Sequence, residues 1–438
     1  MDESAVDFDV AVVGAGPAGT TVATLLADRG LRVVVFEKER HPRFHIGESL
    51  LPLNLPLFER LGVAEQVARI GMLKPAVEFN SVDHPQPQVY RFDEAFAPCC
   101  GYAYQVRRSE FDAVLAQRAR ASGARLVEQC RVTQVDLERD RVSLGTRAAD
   151  GTEQRVRARY LVDASGRDTF VAGKLGVKRR NPRHTSAALY GHYRGARRGE
   201  GEDEGNIRIF WFEHGWFWFI PLRDGITSVG AVCWPYYLKS RRGDPADFLQ
   251  QTIALCPALA ERLAGAELVD GATATGNYSY RCARMSGERW IMVGDAYAFV
   301  DPVFSSGVYL AMASAFRAAD VVAETLRDPA RGAQLRRDYE RTVDRGLATF
   351  CWMIYRMTTP AMRDMVMSPR NPIGIKSAVV SMLAGDVYRR GPIWWRLMCF
   401  RAIYYGNLLR LGRRSLAAWR RRRLAIQPQA IHATDGSG

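Results

Sequence analysis

Lys74 is the residue whose type and setting point most directly to chemistry. The chain has 61 lysines and arginines, and only six of them are lysine. Arginine stays protonated in proteins, whereas burial lowers the pKa of a lysine amine. In a chain that uses arginine almost everywhere, the amine at position 74 is therefore a candidate catalytic group. The competing interpretation is a surface lysine, because lysine is rarely buried.

Residues 299–307, FVDPVFSSG, form a second candidate site. They precede an apolar segment, Val308 to Leu326, that favours a helix. A helix start offers unpaired backbone N–H groups and a partial positive charge, which suit an anionic ligand. The alternative is a helix cap without a ligand, since serine is common at helix starts.

The stretch Trp216 to Pro221, WFWFIP, is the third candidate. Tryptophans at positions i and i+2 lie on one side of a strand, so Trp216 and Trp218 would form an aromatic wall. Packing alone is the competing interpretation, because aromatic residues are normal in sheets.

A nucleotide-binding pattern opens the chain and must position these candidates. An apolar run, Asp7 to Val13, suits a buried strand and is followed by GAGPAG at residues 14–19. An apolar-periodic segment extends to Arg29, and a second strand, Arg32 to Phe36, leads into Glu37. This order predicts a dinucleotide fold in which the acid accepts hydrogen bonds from a ribose hydroxyl.

Each glycine of the loop has a separate task. Gly14 allows the tight turn, Gly16 the close approach of a pyrophosphate, and Gly19 the packing of helix on strand. Pro17 and Ala18 lie at the helix start, whose free N–H groups face the phosphates.

Two later segments read as strands that return to the same cofactor. Residues 159–166 contain the turn that starts at Asp163, and residues 291–295 end in Gly294-Asp295. Each is by itself compatible with ordinary strand-end chemistry. Their order along the chain resembles that of the flavin monooxygenase superfamily, and this resemblance favours FAD over NAD.

In combination, these segments resemble the flavin-dependent halogenases of the FAD-dependent monooxygenase superfamily. Residues 299–307 match the family pattern F-x-x-P-x-x-S-x-G at all four fixed positions. The resemblance implies a mixed α/β fold: a Rossmann-like FAD-binding domain of the glutathione-reductase and p-hydroxybenzoate-hydroxylase type, with an inserted β-sheet substrate domain and C-terminal helices.

The resemblance also implies cofactor contacts. Residues 106–112, VRRSEFD, resemble the family's V-x-R-x-x-F-D and put Arg108 near the flavin. Gly294-Asp295 would hold the ribityl chain. The implied cofactor-binding residues are Gly14, Gly16, Pro17, Ala18, Gly19, Glu37, Lys38, Arg108, Asp163, Gly294, Asp295 and Pro302.

In the same family, the lysine matching Lys74 is catalytic, and Ser305 is the residue expected to hydrogen-bond it. The backbone of Ser306 and Gly307 would bind the halide. The gatekeepers that keep the organic substrate away from the flavin would be Trp216, Trp218 and Pro221.

The chain departs from the family at two positions. Ala76-Val77 stands where the family lysine is usually followed by Gly-Ala. Phe304 stands where tryptophan halogenases have a glutamate before the matching serine. Because phenols and pyrroles react at their own activated carbon without that carboxylate, the loss of the acid indicates the phenol and pyrrole branch.

The implied mechanism uses reduced FAD, dioxygen, and chloride or bromide. A flavin hydroperoxide would oxidise the halide to hypohalous acid, which would travel along an internal passage to Lys74. There it would be hydrogen-bonded or converted to a haloamine before the ring attacks the halogen. No second dinucleotide fingerprint occurs, so a separate flavin reductase is expected to supply reduced FAD.

Composition limits the other function classes. Residues 1–7 lead straight into the first strand, so we expect no signal peptide, and no apolar run approaches membrane-spanning length. The eight cysteines show no CxxC spacing, which indicates reduced thiols in a cytoplasmic enzyme. The seven histidines lack ligand spacing, so no metal site is expected.

We expect an interleaved chain rather than domains in series. The predicted boundaries are 1–185 for the first part of the FAD-binding domain, 186–271 for the substrate sheet, 272–345 for the return to the FAD-binding domain, 346–426 for C-terminal helices and 427–438 for a disordered tail.

The C-terminal segment is strongly basic. Residues 387–434 contain eleven arginines and no acidic residue, in a chain whose formal net charge is +14. A solvated helix face, an acidic acyl or peptidyl carrier protein that presents a tethered ring, and peripheral contact with an anionic membrane all remain open. Nucleic acid is not expected, since no reader motif accompanies the charge.

Three alternatives to a halogenase remain at this point. An aromatic hydroxylase or epoxidase would share the FAD motifs without needing Lys74 or the tryptophan pair. A reductase of the geranylgeranyl kind would want a long apolar tunnel and no halide site. A flavin-binding scaffold without turnover is the third.

Overall fold

The computed structural model describes residues 6–96, 99–182, 184–276, 279–389, 391–412, 416–417 and 420. Within them the strands, in chain order, are β1 Phe8–Val13, β2 Val33–Phe36, β3 Met72–Lys74, β4 Ala76–Ser81, β5 His84–Arg91, β6 Ala103–Gln105, β7 Arg125–Val127, β8 Cys130–Leu137, β9 Val142–Ala148, β10 Glu153–Asp163, β11 Lys178–Arg180, β12 Ala187–Arg194, β13 Ile207–Phe212, β14 Gly215–Pro221, β15 Ile226–Cys233, β16 Glu267–Thr275, β17 Tyr280–Cys282, β18 Trp290–Met292 and β19 Ala298–Phe299.

The helices are α1 Pro17–Ala27, α2 Leu55–Leu61, α3 Ala64–Ile70, α4 Arg108–Ala121, α5 Phe170–Lys174, α6 Pro235–Lys239, α7 Pro245–Ala254, α8 Pro257–Arg262, α9 Gly307–Arg327, α10 Pro329–Ile354, α11 Pro360–Met367, α12 Ile375–Leu383 and α13 Pro392–Arg410. Together they confirm the predicted mixed α/β class. In the described part of the chain, no helix is long and apolar enough to cross a membrane.

The chain divides into two interleaved compact units. The first unit contains Met1–Gly71, Val106–Arg180 and Tyr280–Ala348. The second contains Met72–Gln105, Asn181–Ser279 and Thr349–Gly438.

The first unit is built on a sheet with the strand order β7-β2-β1-β10-β9-β8, and β18 also pairs with β10. Strands β2, β1, β10 and β18 run parallel to their neighbours in this set. The interior of β1 is a continuous run of buried apolar residues, as expected for a parallel strand covered on both faces. The carboxyl ends of parallel strands meet at one edge, and the residues predicted to bind the nucleotide lie at this edge.

The second unit contains a sheet with the order β16-β12-β15-β14-β13-β4-β5. The predicted boundary at 185/186 placed residues 76–91 in the FAD-binding part; here β4 pairs with β13 and β5 with β4 in this sheet, and the functional assignment of the domains stays a prediction. Strand β4 pairs parallel with β13, so the segment that follows Lys74 is tied directly to this sheet.

Strand β14 lies in the interior of that sheet, and all its residues are buried. Phe217 and Phe219 belong to a core that includes residues of α7 and α8. Trp216 and Trp218 point to the opposite face, because successive side chains of a strand alternate. Their ring centroids are 6.2 Å apart, so the predicted aromatic pair is present.

The position of Trp218 requires a glycine on the neighbouring strand. Gly230 of β15 lies opposite Trp218, and a Cβ atom at Gly230 would come within 2.3 Å of the indole ring. The indole nitrogen donates a hydrogen bond of 3.1 Å to the Ser228 hydroxyl, which fixes the ring over that glycine.

We expect Gly230→Ala to lower the free energy of unfolding by about 1–3 kcal/mol, because the methyl group displaces a hydrogen-bonded indole in a packed layer. Urea unfolding followed by near-ultraviolet circular dichroism measures the change. Gly276→Ala is the control, since a Cβ atom there meets no atom within 4 Å. Equal stability of the two variants would contradict the assignment.

Candidate active site

The glycine loop after β1 is held by backbone packing. A Cβ atom on Gly14 would lie 2.5 Å from the Ala164 carbonyl oxygen, and one on Gly19 would lie 1.9 Å from the Gly14 carbonyl oxygen. Gly16 differs, since the nearest atom to its Cβ position is an Arg43 guanidinium nitrogen at 3.8 Å. The loop is therefore closed where it packs and open beside Gly16, the glycine assigned to pyrophosphate approach.

Glu37 braces this loop at the end of β2. Its carboxylate accepts hydrogen bonds from the backbone N–H groups of Ala15, at 2.8 Å, and Glu39, at 3.0 Å. The next residue, Lys38, forms an ion pair with Asp168. The acid is thus rigidly placed beside the helix start, and its predicted contact with a ribose stays a prediction.

Arg43 is a residue of this region that the motif analysis missed. It is nearly buried, lies 3.2 Å from Asp112 and 3.6 Å from Glu37, and its Nε atom has no hydrogen-bond partner among the described residues. A guanidinium with a spare donor near Gly16 suits an anionic group. The only sequence feature that could have pointed to Arg43 is its position six residues after Glu37, the acid that follows β2.

Arg108 opens α4 and is locked in a buried network. It makes a two-point ion pair with Asp112, at 2.8 and 3.0 Å, and donates to the Ile46 carbonyl at 3.0 Å. His45 lies 3.2 Å from the same guanidinium. Burial and the neighbouring Arg108 charge lower the pKa of His45 to about 4, so this imidazole is neutral at pH 7.

Asp163 and Asp295, both at strand ends, differ in how they are satisfied. The Asp163 carboxylate accepts backbone N–H groups from Ser165 at 2.9 Å and Val171 at 2.7 Å, so it holds its own turn together. The Asp295 carboxylate has no hydrogen-bond partner among the described residues and is partly exposed. Burial raises its pKa to about 6, although the Arg108 and Arg167 charges act in the opposite direction.

The run at 299–307 forms a tight turn into α9. Asp301 caps a short turn through a 3.1 Å hydrogen bond from the Val303 N–H, and Pro302 begins that turn. Ser305 adopts a left-handed conformation, with φ of 55°. The backbone N–H groups of Ser306 and Gly307 donate no hydrogen bond within the described chain, and nothing lies within 4 Å of a Cβ atom on Gly307. The arrangement leaves open donors at a helix start, which suit a small anion.

Lys74 is the last residue of β3, which pairs with β6 in a two-stranded ribbon. The side chain is fully buried, and its amine lies 5.3 Å from the centroid of the Phe92 ring. Burial lowers the pKa of Lys74 to about 7. Sequence reasoning singled out the lysine but could not identify Phe92, which is 18 residues further on. Lys74 and Ser305 belong to different units, and a hydrogen bond between them stays a prediction.

Trp216 and Trp218 share their face of the sheet with further aromatic rings. Tyr190 lies 5.8 Å from Trp218, measured between ring centroids. Trp211, which pairs with Trp216 across β13 and β14, stacks on Phe79 at 5.5 Å. Pro221 ends β14. The predicted wall is therefore wider than two tryptophans.

Comparison with known proteins gives the family. The FAD binding domain family model matches residues 7–346. A flavin-dependent halogenase of Penicillium aethiopicum is 32% identical over 78% of this chain and 69% of its own length. The chain belongs to the flavin-dependent halogenases.

Two further relatives match this chain over nearly the whole of their own length. A 1H-pyrrole-2-carbonyl-[peptidyl-carrier protein] brominase of Pseudoalteromonas luteoviolacea is 31% identical over 82% of this chain and 90% of its own. The solved structure of the myxobacterial chondrochloren halogenase is 31% identical, with a TM-score of 0.76 over 93% of this chain and 99% of that one. These findings confirm the sequence-based family, with FAD as cofactor and a halide as co-substrate.

The first unit of this halogenase fits FAD on its own geometry. A pyrophosphate could approach at the open side of Gly16, where the Arg43 Nε is a donor without a partner in the described residues. A hydroxyl-rich chain could donate hydrogen bonds to the partly exposed carboxylate of Asp295. The described residues contain no group of three or more histidine, cysteine or acidic side chains that could hold a metal ion.

We expect Asp295→Asn to raise the melting temperature of the apoprotein while it weakens FAD binding. The folded-state pKa of about 6 lies above the ordinary value of 3.8, so the ionised carboxylate destabilises the apoprotein at pH 7.5. The variant should then melt a few degrees higher than wild type without FAD, by about 2–4 °C. This gain should shrink as the pH falls through 6 and vanish below 3.8, where wild-type Asp295 is protonated in both the folded and the unfolded state.

Weaker FAD binding by Asp295→Asn, measured by flavin fluorescence, is expected alongside that gain. Asp163→Asn is the contrasting variant and should melt lower, since the amide replaces one of the two side-chain oxygens that accept backbone N–H groups with an NH2 donor. A lower melting temperature for both variants would contradict the assignment of Asp295 as a ligand-facing group.

Proposed function

We propose that this halogenase transfers chlorine or bromine to an electron-rich ring, a phenol or a pyrrole, through the amine of Lys74. The observation that carries the proposal is the full burial of Lys74 with a pKa of about 7. An amine of ordinary pKa, near 10.4, would be almost fully protonated at pH 7 and could not act as a nucleophile. Burial leaves about half of the Lys74 amines neutral at that pH.

FAD, when bound and reduced, supplies the activation of dioxygen that oxidises the halide to hypohalous acid. The free N–H groups of Ser306 and Gly307 hold the halide, and the start of α9 stabilises its charge. A separate flavin reductase supplies the reduced cofactor, because the chain has a single dinucleotide fingerprint at residues 14–19.

The Lys74 step balances as an exchange of halogen for hydrogen. The neutral amine attacks the halogen of hypohalous acid, a nitrogen–halogen bond forms, and the oxygen leaves with two hydrogens as water. The ring then attacks that halogen as the nitrogen–halogen bond breaks, and the ring proton returns through a base to the Lys74 nitrogen, which regenerates the amine. Phe92 supports the step by excluding water from the amine.

Position 304 and the relatives support the proposed kind of ring. Phe304 is buried and provides no carboxylate to direct the halogen to a less reactive carbon. A brominase and a chlorinase of carrier-bound 1H-pyrrole-2-carbonyl groups are among the relatives. We therefore propose a ring activated by its own heteroatom, delivered as a thioester on a carrier protein.

Trp216 and Trp218 act as a wall rather than as reactants. Both indoles are buried, and the Trp218 nitrogen is already committed to Ser228. Their proposed role is to keep the organic ring from the flavin, which suppresses direct hydroxylation.

Replacing the amine tests the proposal directly. Lys74→Met should lower halogenated product by on the order of a hundredfold or more, because it removes the group that carries the halogen. FAD binding and oxygen consumption should stay at the wild-type level, because the amine acts after the flavin step. Mass spectrometry of products gives the readout, and Lys239→Met, at an exposed lysine of the same unit, is the control. Halogenation retained in Lys74→Met would refute the proposal.

The pH profile distinguishes a nucleophilic amine from a hydrogen-bonding ammonium. Since the folded pKa is about 7, single-turnover transfer should rise from pH 6 to 8 and then level off as the amine becomes neutral. An ammonium donor would give the opposite slope. Lys74→Arg keeps a cationic donor but no nucleophile, so it should be as inactive as Lys74→Met. Activity in the arginine variant would support hydrogen bonding instead.

A further inference from the structure

The outer side of α13 carries an apolar strip that faces away from the protein. The helix turns Ile393, Phe400 and Tyr404 inwards, where they are buried. The opposite side exposes large apolar side chains, and Leu409 and Trp394 are 83% and 63% exposed. The α13 surface is defined here by Trp394, Trp395, Met398, Tyr405 and Leu409.

A continuous apolar strip opposite the buried face of a helix is unusual for a surface that meets only water. On an ordinary surface helix this side would be polar. The strip therefore indicates a partner.

Three arginines border the α13 surface, and none of them has a carboxylate partner in the described residues. Arg356 stacks on Trp352 at 4.5 Å and donates to the Tyr405 hydroxyl at 3.0 Å. Arg401 lies over the same indole at 4.9 Å, and burial and the Arg356 charge lower its pKa. Arg396 bonds only to backbone carbonyls, of Ile373 and Pro392.

The charge of this region is thus fixed in place but not neutralised. Two guanidinium groups flank one tryptophan, and no acidic residue occurs in the sequence from Val387 to Thr434. By contrast, Arg389, just before α13, is paired with Asp386. An acidic partner would offset the repulsion between the stacked guanidinium groups.

The α13 surface is connected to Lys74 by one short segment of the second unit. Phe92 lies over the Lys74 amine at 5.3 Å, and four residues later Phe96 packs under the Arg396 guanidinium at 4.8 Å. The Phe96 N–H also donates to Ser381 of α12, at 2.8 Å. A partner on α13 therefore docks beside the segment that covers the catalytic amine.

We propose that the α13 surface docks an acidic carrier protein, with its apolar strip against an apolar patch of the carrier and its arginines against carboxylates. This rests on the proposed function, in which the ring arrives as a carrier thioester. A membrane surface would also accept aromatic and cationic side chains. The connection from α13 to Lys74 through Phe96 and Phe92 favours the carrier, because only a carrier must dock close to the amine it serves.

The test places a negative charge in the strip at exposed positions, where folding is least affected. Leu409→Glu and Trp394→Glu are made in the full-length, FAD-loaded enzyme. Leu255→Glu is the matched control, since Leu255 is an exposed leucine of the same unit, 50% accessible. The probes are a peptidyl carrier protein loaded with pyrrole-2-carbonyl and the pantetheine thioester of the same acid.

Both α13 variants should lose about tenfold or more in kcat/KM on the loaded carrier, with a matching rise in its Kd. Turnover of the pantetheine thioester should stay unchanged, and Leu255→Glu should behave as wild type on both probes. Carrier binding by wild type should also weaken as salt is raised, because exposed charges are screened within about 10 Å at 0.1 M ionic strength.

Other results would overturn the inference. Equal losses on both probes would make the strip structural. An unchanged carrier Kd, combined with lost binding to phosphatidylglycerol vesicles, would make it a membrane contact, and a shift from dimer to monomer in sedimentation would make it a self-association surface. If the wild-type enzyme halogenates the pantetheine thioester but does not bind the carrier, the docking surface is refuted and the proposed ring chemistry stands. Carrier binding without halogenation of either probe would instead refute the proposed ring chemistry.

Discussion

Close packing of backbone against backbone at the carboxyl edge of the parallel strands is the constraint on which the cofactor site depends. Gly14 must approach the turn after β10, and Gly19 must approach Gly14, at distances that exclude any side chain. This packing fixes the start of α1 and the position of Glu37, which in turn holds the Ala15 N–H. The strands that return from later in the chain bring Asp163 and Gly294-Asp295 to the same edge.

The same unit separates residues that hold the protein together from residues that are left available. Asp163 and Asp112 are buried carboxylates whose oxygens are all engaged by backbone N–H groups or by arginines. The Nε of Arg43 has no such partner in the described chain, and burial raises the pKa of Asp295. Leaving a buried donor such as the Arg43 Nε unpaired costs stability, and a bound anion at this edge of the sheet would restore it.

In the second unit, burial alone changes the chemistry of Lys74. No counter-charge is needed to bring the amine to a pKa of about 7, because removal from water disfavours the ammonium form. The short β3–β6 ribbon and the Phe92 ring provide that environment, and β4 ties it to the large sheet. At the α13 surface, too, charged groups lack a counter-charge. The arginines there are stabilised by stacking on an aromatic ring.

The sequence by itself determined the family, the mixed α/β class and the cofactor, because these depend on residues close together in the chain. The glycine spacing at 14–19 and the run at 299–307 are local patterns that any member must carry to make the turn or the helix start. The sequence also predicted that the two tryptophans lie side by side, since successive side chains of a strand alternate between faces and residues i and i+2 share one face of β14.

Only the tertiary structure decided which of those residues are buried, paired or free. The burial that lowers the pKa of Lys74 depends on Phe92 and on the pairing of β3 with β6, which join residues 18 to 33 positions apart. The membership of β4 and β5 in the substrate sheet and the outward apolar side of α13 likewise follow from long-range packing. Local pattern specifies an element, but burial and contact are properties of the folded chain, and the chemistry of an amine or a carboxylate depends on them.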